Sequence, residues 1–237
     1  MPGLLTAFII GIGPGGKQFL TPKAEKIIDS CGVVVGWAQA LNTVRPLIEG
    51  KMVIEQTCAD YQNALSSASE TARSLTTNVA VLVADDPLTY SAGLDSFKRP
   101  FSGFKLEIIP AISSFQLAAA AAKISLEDSL LVVYAPDAQG NIDEEDLNNK
   151  RRRMLGAFDS SYHLIIMSDL EQTLGQTAAF LIANGLPRDA RAIIGEQIGT
   201  DEEVITTTDL ESAAATSYHW MSMMIIKATA PVTRQRT

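Results

Sequence analysis

The sequence predicts an α/β protein whose first half builds a mainly parallel sheet and whose second half builds a mixed one. The first observation is that short apolar runs alternate with helical segments, which is typical of βαβ units in a parallel sheet. The second is that two late apolar runs stand close enough along the chain to pair antiparallel. A length of 237 residues leaves one or two domains open.

Five apolar runs of the first half predict strands: Ala7–Ile10, Gly32–Val35, Met52–Glu55, Val79–Ala84 and Leu106–Ile109. Helical segments are predicted between them at 22–30, 38–48, 59–75 and 92–99. Thr21 and Pro22 mark the start of the first helix, because threonine caps helices and proline is favoured at the first helical position. Ser113 stands where an alanine-rich helical run begins.

Five further strands are predicted in the second half: Leu130–Tyr134, His163–Met167, Arg191–Gly195, Val204–Thr207 and Met221–Ala228. A charged helix is expected at 143–157, and a second helix at Glu171–Asn184. The second ends at Gly185, with Pro187 just beyond it, which is a common helix stop. The third and fourth of these strands are the pair expected to run antiparallel.

The composition excludes several classes of protein. A net charge of −8 argues against non-specific nucleic-acid binding, which needs a basic surface. No apolar run reaches the roughly 18 residues of a membrane helix, and the first residues do not resemble a signal peptide, so we expect a cytoplasmic protein. Two cysteines and two histidines, far apart, predict no metal site.

One basic cluster, Lys150–Arg153, stands out in this acidic chain. It follows the acidic stretch Asp143–Asp146, and acid early and base late along one helix complement its dipole. A solvated helix is therefore the favoured interpretation. The alternative is a local attractor for a substrate rich in carboxylates.

A glycine-rich loop, Gly11-Ile12-Gly13-Pro14-Gly15-Gly16, follows the first strand. Its spacing fits a dinucleotide fingerprint, but such a lone match is weak evidence. In a dinucleotide fold the helix opens within the glycines, whereas here Pro14 interrupts them and the next helix start is at Thr21. The second strand also lacks the acidic end that holds a ribose. The loop is therefore interpreted as a small-molecule loop.

Two further loops follow parallel strands and belong to the same sheet edge. They are Asp85-Asp86-Pro87-Leu88-Thr89-Tyr90 and Pro110-Ala111-Ile112-Ser113-Ser114. Each loop on its own contains residues that are common in ordinary turns and helix caps. Because ligands of open α/β sheets bind outside the carboxyl ends of the strands, the three loops together predict a ligand site.

With these motifs the sequence resembles the tetrapyrrole (corrin and porphyrin) methylases, from Ile9 to about Ala228. The resemblance rests on the order and spacing of several segments, of which none is decisive alone. These are the glycine loop, Leu20-Thr21-Pro22, Val33-Val34-Val35-Gly36, Asp86-Pro87-Leu88-Thr89-Tyr90, Ile109-Pro110-Ala111-Ile112-Ser113-Ser114-Phe115-Gln116, and Ile193-Ile194-Gly195-Glu196 followed by Gly199. The branch that carries the last segment methylates C5 of cobalt-precorrin-7 or precorrin-6Y.

The resemblance implies two α/β domains, 1–112 and 113–237, with a cleft between them, and a homodimer. It implies an S-adenosylmethionine (AdoMet)-dependent C-methyltransferase of cobalamin biosynthesis, with AdoMet in the cleft and a small-molecule tetrapyrrole as substrate. The cofactor-binding residues carried over from the family are Gly11, Gly13, Pro14, Asp86, Pro87, Thr89, Ser113, Ser114 and Met167. No catalytic residue is assigned, because alignment of methyl, sulfur and ring carbon accounts for much of the chemistry.

Two further expectations concern the substrate and its pathway. The acetate and propionate arms of a tetrapyrrole need cationic or backbone donors. Candidates are Lys17, Arg45, Lys98, Arg99 and the cluster Lys150–Arg153. The chain has the length of one methylase unit, so a decarboxylation step would need a separate partner protein.

The chain departs from the family pattern at three places. Asp85 replaces the glycine of the usual Ser-Gly-Asp-Pro, Val133–Asp137 replaces Ser-Leu-His-Gly-Arg, and an arginine is lost within Ala119–Ala122. These losses motivate one alternative, a non-catalytic paralogue that binds a tetrapyrrole or a partner enzyme. Two more alternatives are a diphthine synthase-like methyltransferase and, on the glycine spacing alone, a nicotinamide-dependent oxidoreductase.

Overall fold

The structure is a computed structural model that describes residues 4–57, 59–89, 94, 96–134, 143–167 and 173–228. Its contacts divide the chain into two compact units, Met1–Ser114 and Phe115–Thr237. Each unit contains one five-stranded sheet. The prediction of an α/β protein with two sheets is confirmed.

The first sheet consists of β1 to β5, all parallel, in the order β3-β2-β4-β1-β5. Their bounds are Thr6–Gly11, Val33–Trp37, Met52–Gln56, Val79–Val83 and Lys105–Ile109. The central strands are buried on both faces, which explains why they read as continuous apolar runs without polar alternation. All five lie where the sequence predicted strands.

Helices cover both faces of this sheet. They are α1 (Pro22–Ser30), α2 (Ala38–Thr43) and α3 (Tyr61–Leu75). On one face Ile10 and Leu82 pack with Ile28 of α1, and on the other Ile9 and Val81 pack with Leu65 of α3. The predicted start of α1 is confirmed, because Thr21 Oγ1 accepts a hydrogen bond from Ala24 N at 3.1 Å.

The second sheet consists of β6 to β10 in the order β6-β7-β10-β8-β9. The bounds are Ser129–Val133, His163–Met167, Arg191–Glu196, Val204–Asp209 and Ser222–Ile226. Only β6 and β7 run parallel, and the remaining pairs are antiparallel, including the predicted pair β8 and β9. The expected mixed sheet is thus confirmed.

The second half contains four described α-helices, the first of which begins at the boundary between the units. They are α4 (Ser114–Ala122), α5 (Glu144–Asp159), α6 (Leu174–Ala183) and α7 (Leu210–Ala215). Met154 of α5 and Leu181 of α6 pack on one face of the sheet with Ile166 and Met224, and Ala118 of α4 packs on the other with Ile165. The sequence did not predict α7.

Several predicted features lie outside the described residues. These are part of the helix at 92–99, the segment Ala135–Asp137 and the first residues of the helix at Glu171. Within the part of the chain that the structure describes, no helix is long and apolar enough to cross a membrane. In the same residues, no three histidine, cysteine or acidic side chains are grouped as a metal site would require.

Candidate functional site

The strand order of the first sheet creates a switch point between β4 and β1. From β1 the chain turns toward β2, and from the adjacent β4 it turns the opposite way, toward β5. In open α/β sheets this is where ligands bind, outside the carboxyl ends of the strands. The loops at this place are 11–16, 84–89 and 110–114, which we call the edge loops.

Gly13 joins the first edge loop to the second. Its N–H donates to Asp85 O at 3.3 Å and its carbonyl accepts from Asp85 N at 2.9 Å, which makes a short antiparallel bridge. Gly13 has φ +84°, and an added Cβ would lie 2.4 Å from Phe19 Cβ. Both the backbone conformation and the lack of space therefore require glycine here.

Gly11 is the point where all three edge loops meet. A Cβ at this position would lie 2.7 Å from Pro87 Cδ, 2.8 Å from Ala111 Cβ and 2.9 Å from Asp85 O. The space beside Gly11 is therefore filled by the neighbouring loops of the protein. The sequence suggested that such glycines allow a ligand to approach, whereas at Gly11 and Gly13 the observed consequence is close packing of loop on loop.

Asp86 fixes the turn of the second edge loop and fastens it to the third. One carboxylate oxygen, Oδ1, accepts from Leu88 N at 2.7 Å, and the other, Oδ2, accepts from Ala111 N at 3.2 Å. The Asp86 carbonyl accepts from Thr89 N at 3.0 Å and completes the turn. The Asp-Pro pair thus acts as the turn signal that its sequence indicates, with an added link to the loop after β5.

Asp85 has a left-handed backbone conformation, with φ +67°. Its side chain is buried and points to the first residue of α4: Oδ1 accepts from Ser114 N at 2.6 Å, and Oδ2 lies 2.6 Å from Ser114 Oγ. Burial raises the pKa of the Asp85 carboxyl, and the hydrogen bonds from Ser114 counteract part of that rise. Sequence reasoning did not predict this contact between loops 29 residues apart.

The charged side chains of the edge loops are all acidic. Residues 11–16, 84–89 and 110–114 contain two carboxylates, Asp85 and Asp86, and no lysine or arginine. Two apolar side chains of the same loops are open to solvent, Leu88 at 58% exposure and Ile112 at 39%. This edge therefore combines apolar surface with negative charge, a combination suited to an amphiphilic ligand that carries positive charge.

The remaining predicted site residues lie in both units. Pro87 is buried, while Pro14 and Thr89 are half-buried at the sheet edge, and Ser113 directly precedes α4. Met167 ends β7 in the second unit, where it packs against the apolar cluster around Ile165. The assignment of these residues to a cofactor pocket stays a prediction.

The basic cluster of α5 is engaged within its own surroundings. Lys150 Nζ lies 2.5 Å from Asp146 Oδ2, one helical turn earlier. The Arg151 guanidinium lies 4.8 Å above the Phe180 ring, and Arg152 donates to Asn149. These contacts are those expected of a charged helix surface, which is the favoured interpretation of this segment.

Comparison with known proteins identifies the relatives of this chain. The profile of the Tetrapyrrole (Corrin/Porphyrin) Methylases matches residues 7–214. A protein of Methanocaldococcus jannaschii described as "Probable cobalt-precorrin-7 C(5)-methyltransferase" is 25% identical over 218 residues, which cover 92% of this chain and 96% of the relative.

Solved structures give the same picture of the fold. The crystal structure of the methyltransferase CobJ has a TM-score of 0.79 at 17% identity, with 95% of each chain covered. The precorrin-6Y methylase (cbiE) of Archaeoglobus fulgidus has a TM-score of 0.64 at 20% identity, over 95% of this chain and 98% of that one.

Proposed function

Because the chain belongs to the tetrapyrrole (corrin/porphyrin) methylase family, we propose that it is an AdoMet-dependent C-methyltransferase of cobalamin biosynthesis. The proposed substrate is a precorrin or cobalt-precorrin, methylated at a ring carbon, namely C5 of cobalt-precorrin-7 or precorrin-6Y. Similarity to the M. jannaschii protein over nearly the whole of both chains supports this choice within the family.

The single observation that carries the proposal is the charge of the edge loops at the switch point. AdoMet carries a sulfonium and an ammonium group, and the carboxylate of Asp86, in loops that contain no lysine or arginine, favours such a cation. A dinucleotide would instead bring a pyrophosphate, which needs a helix N-terminus or basic side chains. The same charge pattern therefore argues against the nicotinamide-dependent alternative.

Asp86 is well suited to bind a cofactor while it holds its loop. An ionised carboxylate has about four acceptor positions, and Asp86 uses two of them for the amides of Leu88 and Ala111. The proposed pocket also includes Thr89 and Ser113, with the backbone beside Pro14 and Pro87. Ser114 completes the proposed set, while Gly11 and Gly13 allow the loops to pack. Met167 stays a prediction from the family resemblance.

When bound, AdoMet supplies a methyl group on a sulfonium, which is already activated for transfer. The residues of the chain then have to orient the two reactants and exclude water. Orientation of this kind can account for roughly 7–11 kcal/mol of a barrier. No side chain is assigned as a catalytic base.

The proposal includes a cytoplasmic homodimer and a separate protein for any decarboxylation step. It also includes basic side chains that bind the substrate carboxylates. The candidates remain Lys17, Arg45, Lys98, Arg99 and the cluster Lys150–Arg153.

Calorimetric titration tests the cofactor part of this function. We expect S-adenosylhomocysteine, the demethylated product, to bind at micromolar concentration and NADH to produce no heat. Incubation with AdoMet and cobalt-precorrin-7 or precorrin-6Y, followed by mass spectrometry, then tests turnover. Binding without turnover on either substrate would favour the non-catalytic paralogue, and no binding by the folded protein would contradict the proposed function.

A further inference from the structure

One residue, Asp85, contacts all three edge loops. Its backbone N–H and carbonyl form the bridge to Gly13 of the first loop, and it belongs itself to the second. Its carboxylate reaches Ser114 at the end of the third loop, through Ser114 N and Ser114 Oγ. The side-chain part of this arrangement is called the Asp85–Ser114 contact below.

The backbone at Asp85 needs a residue that tolerates the left-handed region. Glycine enters that region at no steric cost, and aspartate is among the few other residues that do so. A glycine would leave the loop free to adopt other conformations. Asp85 lies in this region at φ +67°, the residue is only 7% exposed, and its carboxylate is hydrogen-bonded to Ser114. The contact thus selects one conformation from those that glycine would allow.

We propose that Asp85 is a positioning residue of the cofactor site. Through the Asp85–Ser114 contact it holds Asp86 and Thr89 in place before the ligand arrives. A loop that is ordered in advance loses less conformational freedom on binding, and affinity rises accordingly. This inference rests on the proposed function, because it names the cofactor pocket as the thing that is positioned.

The partners of the two carboxylates allow a sharp chemical test. At Ser114 the Asp85 carboxylate accepts from the backbone N–H and contacts the hydroxyl, and a hydroxyl can donate or accept. An asparagine at 85 can therefore accept from Ser114 N and donate to Ser114 Oγ. Asp86 accepts from two backbone N–H groups, so an asparagine there would direct its own NH₂ group at one of them.

The experiment compares Asp85→Asn and Asp85→Gly with the native protein. Titration with S-adenosylhomocysteine measures affinity, and amide hydrogen exchange at Ser114 measures the contact itself. We expect Asp85→Gly to bind about tenfold more weakly, which corresponds to about 1.4 kcal/mol. We expect faster exchange at Ser114 in this variant, and Asp85→Asn to recover most of the affinity and of the protection.

Two further variants separate positioning from general stability. Asp209 caps α7 in the second unit by accepting from Ser212 N at 2.7 Å, so Asp209→Gly removes another hydrogen bond from a backbone N–H to an aspartate. It should lower the melting temperature and leave the affinity unchanged. Asp86→Asn should lose more affinity than Asp85→Asn, because its acceptor pair cannot be replaced.

The possible failures can be distinguished. Equal affinity of Asp85→Gly and native protein, or unchanged exchange at Ser114, overturns the positioning role and leaves the proposed function standing. An equal loss in Asp85→Asn and Asp85→Gly also overturns it, because charge would then be the cause. Binding by Asp85→Gly alone shows that the carboxylate closes the site and overturns it. If no variant binds, the proposed function is wrong, and the positioning of a cofactor with it.

Discussion

Replacement of Gly11 by alanine is the most direct test of how the edge loops pack. Carbon atoms in ordinary contact lie about 3.5–4.0 Å apart. A Cβ at Gly11 would lie 2.7 Å from Pro87 Cδ and 2.8 Å from Ala111 Cβ, in two different loops. Both loops would have to retreat by about 0.7 Å or more, and the hydrogen bond from Ala111 N to Asp86 joins them to each other.

The expected cost follows from two opposing effects. Overpacking of a well-filled site costs about 1–3 kcal/mol. A Gly→Ala change without positive φ returns about 0.4–1 kcal/mol, because alanine restricts the unfolded chain. We therefore expect Gly11→Ala to lower the free energy of unfolding by about 1–2 kcal/mol. In a protein of this size that lowers the melting temperature by about 2–8 °C.

Scanning calorimetry measures this change, and Gly156→Ala is the matched control. Gly156 lies within α5, and no atom comes within 4 Å of a Cβ added to it. Alanine should therefore stabilise this helix by about 0.5–1 kcal/mol. A Gly11→Ala protein that melts at or above the native temperature would refute the packing argument. The same variant should also bind S-adenosylhomocysteine more weakly, whereas Gly156→Ala should not.

Three further predictions follow from single residues. Gly13→Ala should cost more stability than Gly11→Ala, because positive φ adds strain to the contact with Phe19, and urea titration measures it. Burial raises the pKa of Asp85, so the native protein loses stability as pH rises from about 4 through that pKa. The advantage of Asp85→Asn in unfolding free energy should therefore grow with pH. Burial also raises the pKa of the Cys31 thiol to about 11, so iodoacetamide should alkylate it only in denaturant, measured in a Cys58→Ser background.

Each of these has a clear contrary result. A Gly13→Ala protein with native stability would show that the loop around Phe19 relaxes freely. A constant difference between Asp85→Asn and native protein from about pH 4 to about pH 8 would show that Asp85 titrates normally. Rapid alkylation of native Cys31 would show that the thiol is accessible near the end of α1.

The elements of the fold could be predicted because their signals are local. The predicted strand His163–Met167, whose last four residues are an uninterrupted apolar run, matches β7 in its bounds. The Thr21-Pro22 pair is a helix start that needs no tertiary context. By contrast, α7 has only six residues and follows a threonine-rich strand, too short for a helical period to stand out.

The order of the strands and the contacts of the site could not be predicted in the same way. Periodicity indicates parallel strands but says nothing about which strand lies beside which. The roles of Gly11 and Asp85 depend on that order, because their partners come from loops after β4 and β5. The sequence predicted that the three edge loops lie at one edge of a sheet, and only the fold reveals that the carboxylate of Asp85 turns to Ser114.

The position of β1 has a consequence for synthesis of the chain. β1 leaves the ribosome before the other strands of its sheet, yet its two neighbours are β4 and β5, the last strands of that sheet. Closing the long segments between β1 and these two strands costs conformational entropy before strand pairing compensates for it. Until Lys105–Ile109 has emerged, Ile9 and Ile10 lack their neighbours in β5, and the nascent first unit exposes apolar surface. The switch-point edge therefore forms late, and the chain must be synthesised through Ser114 before the site can exist.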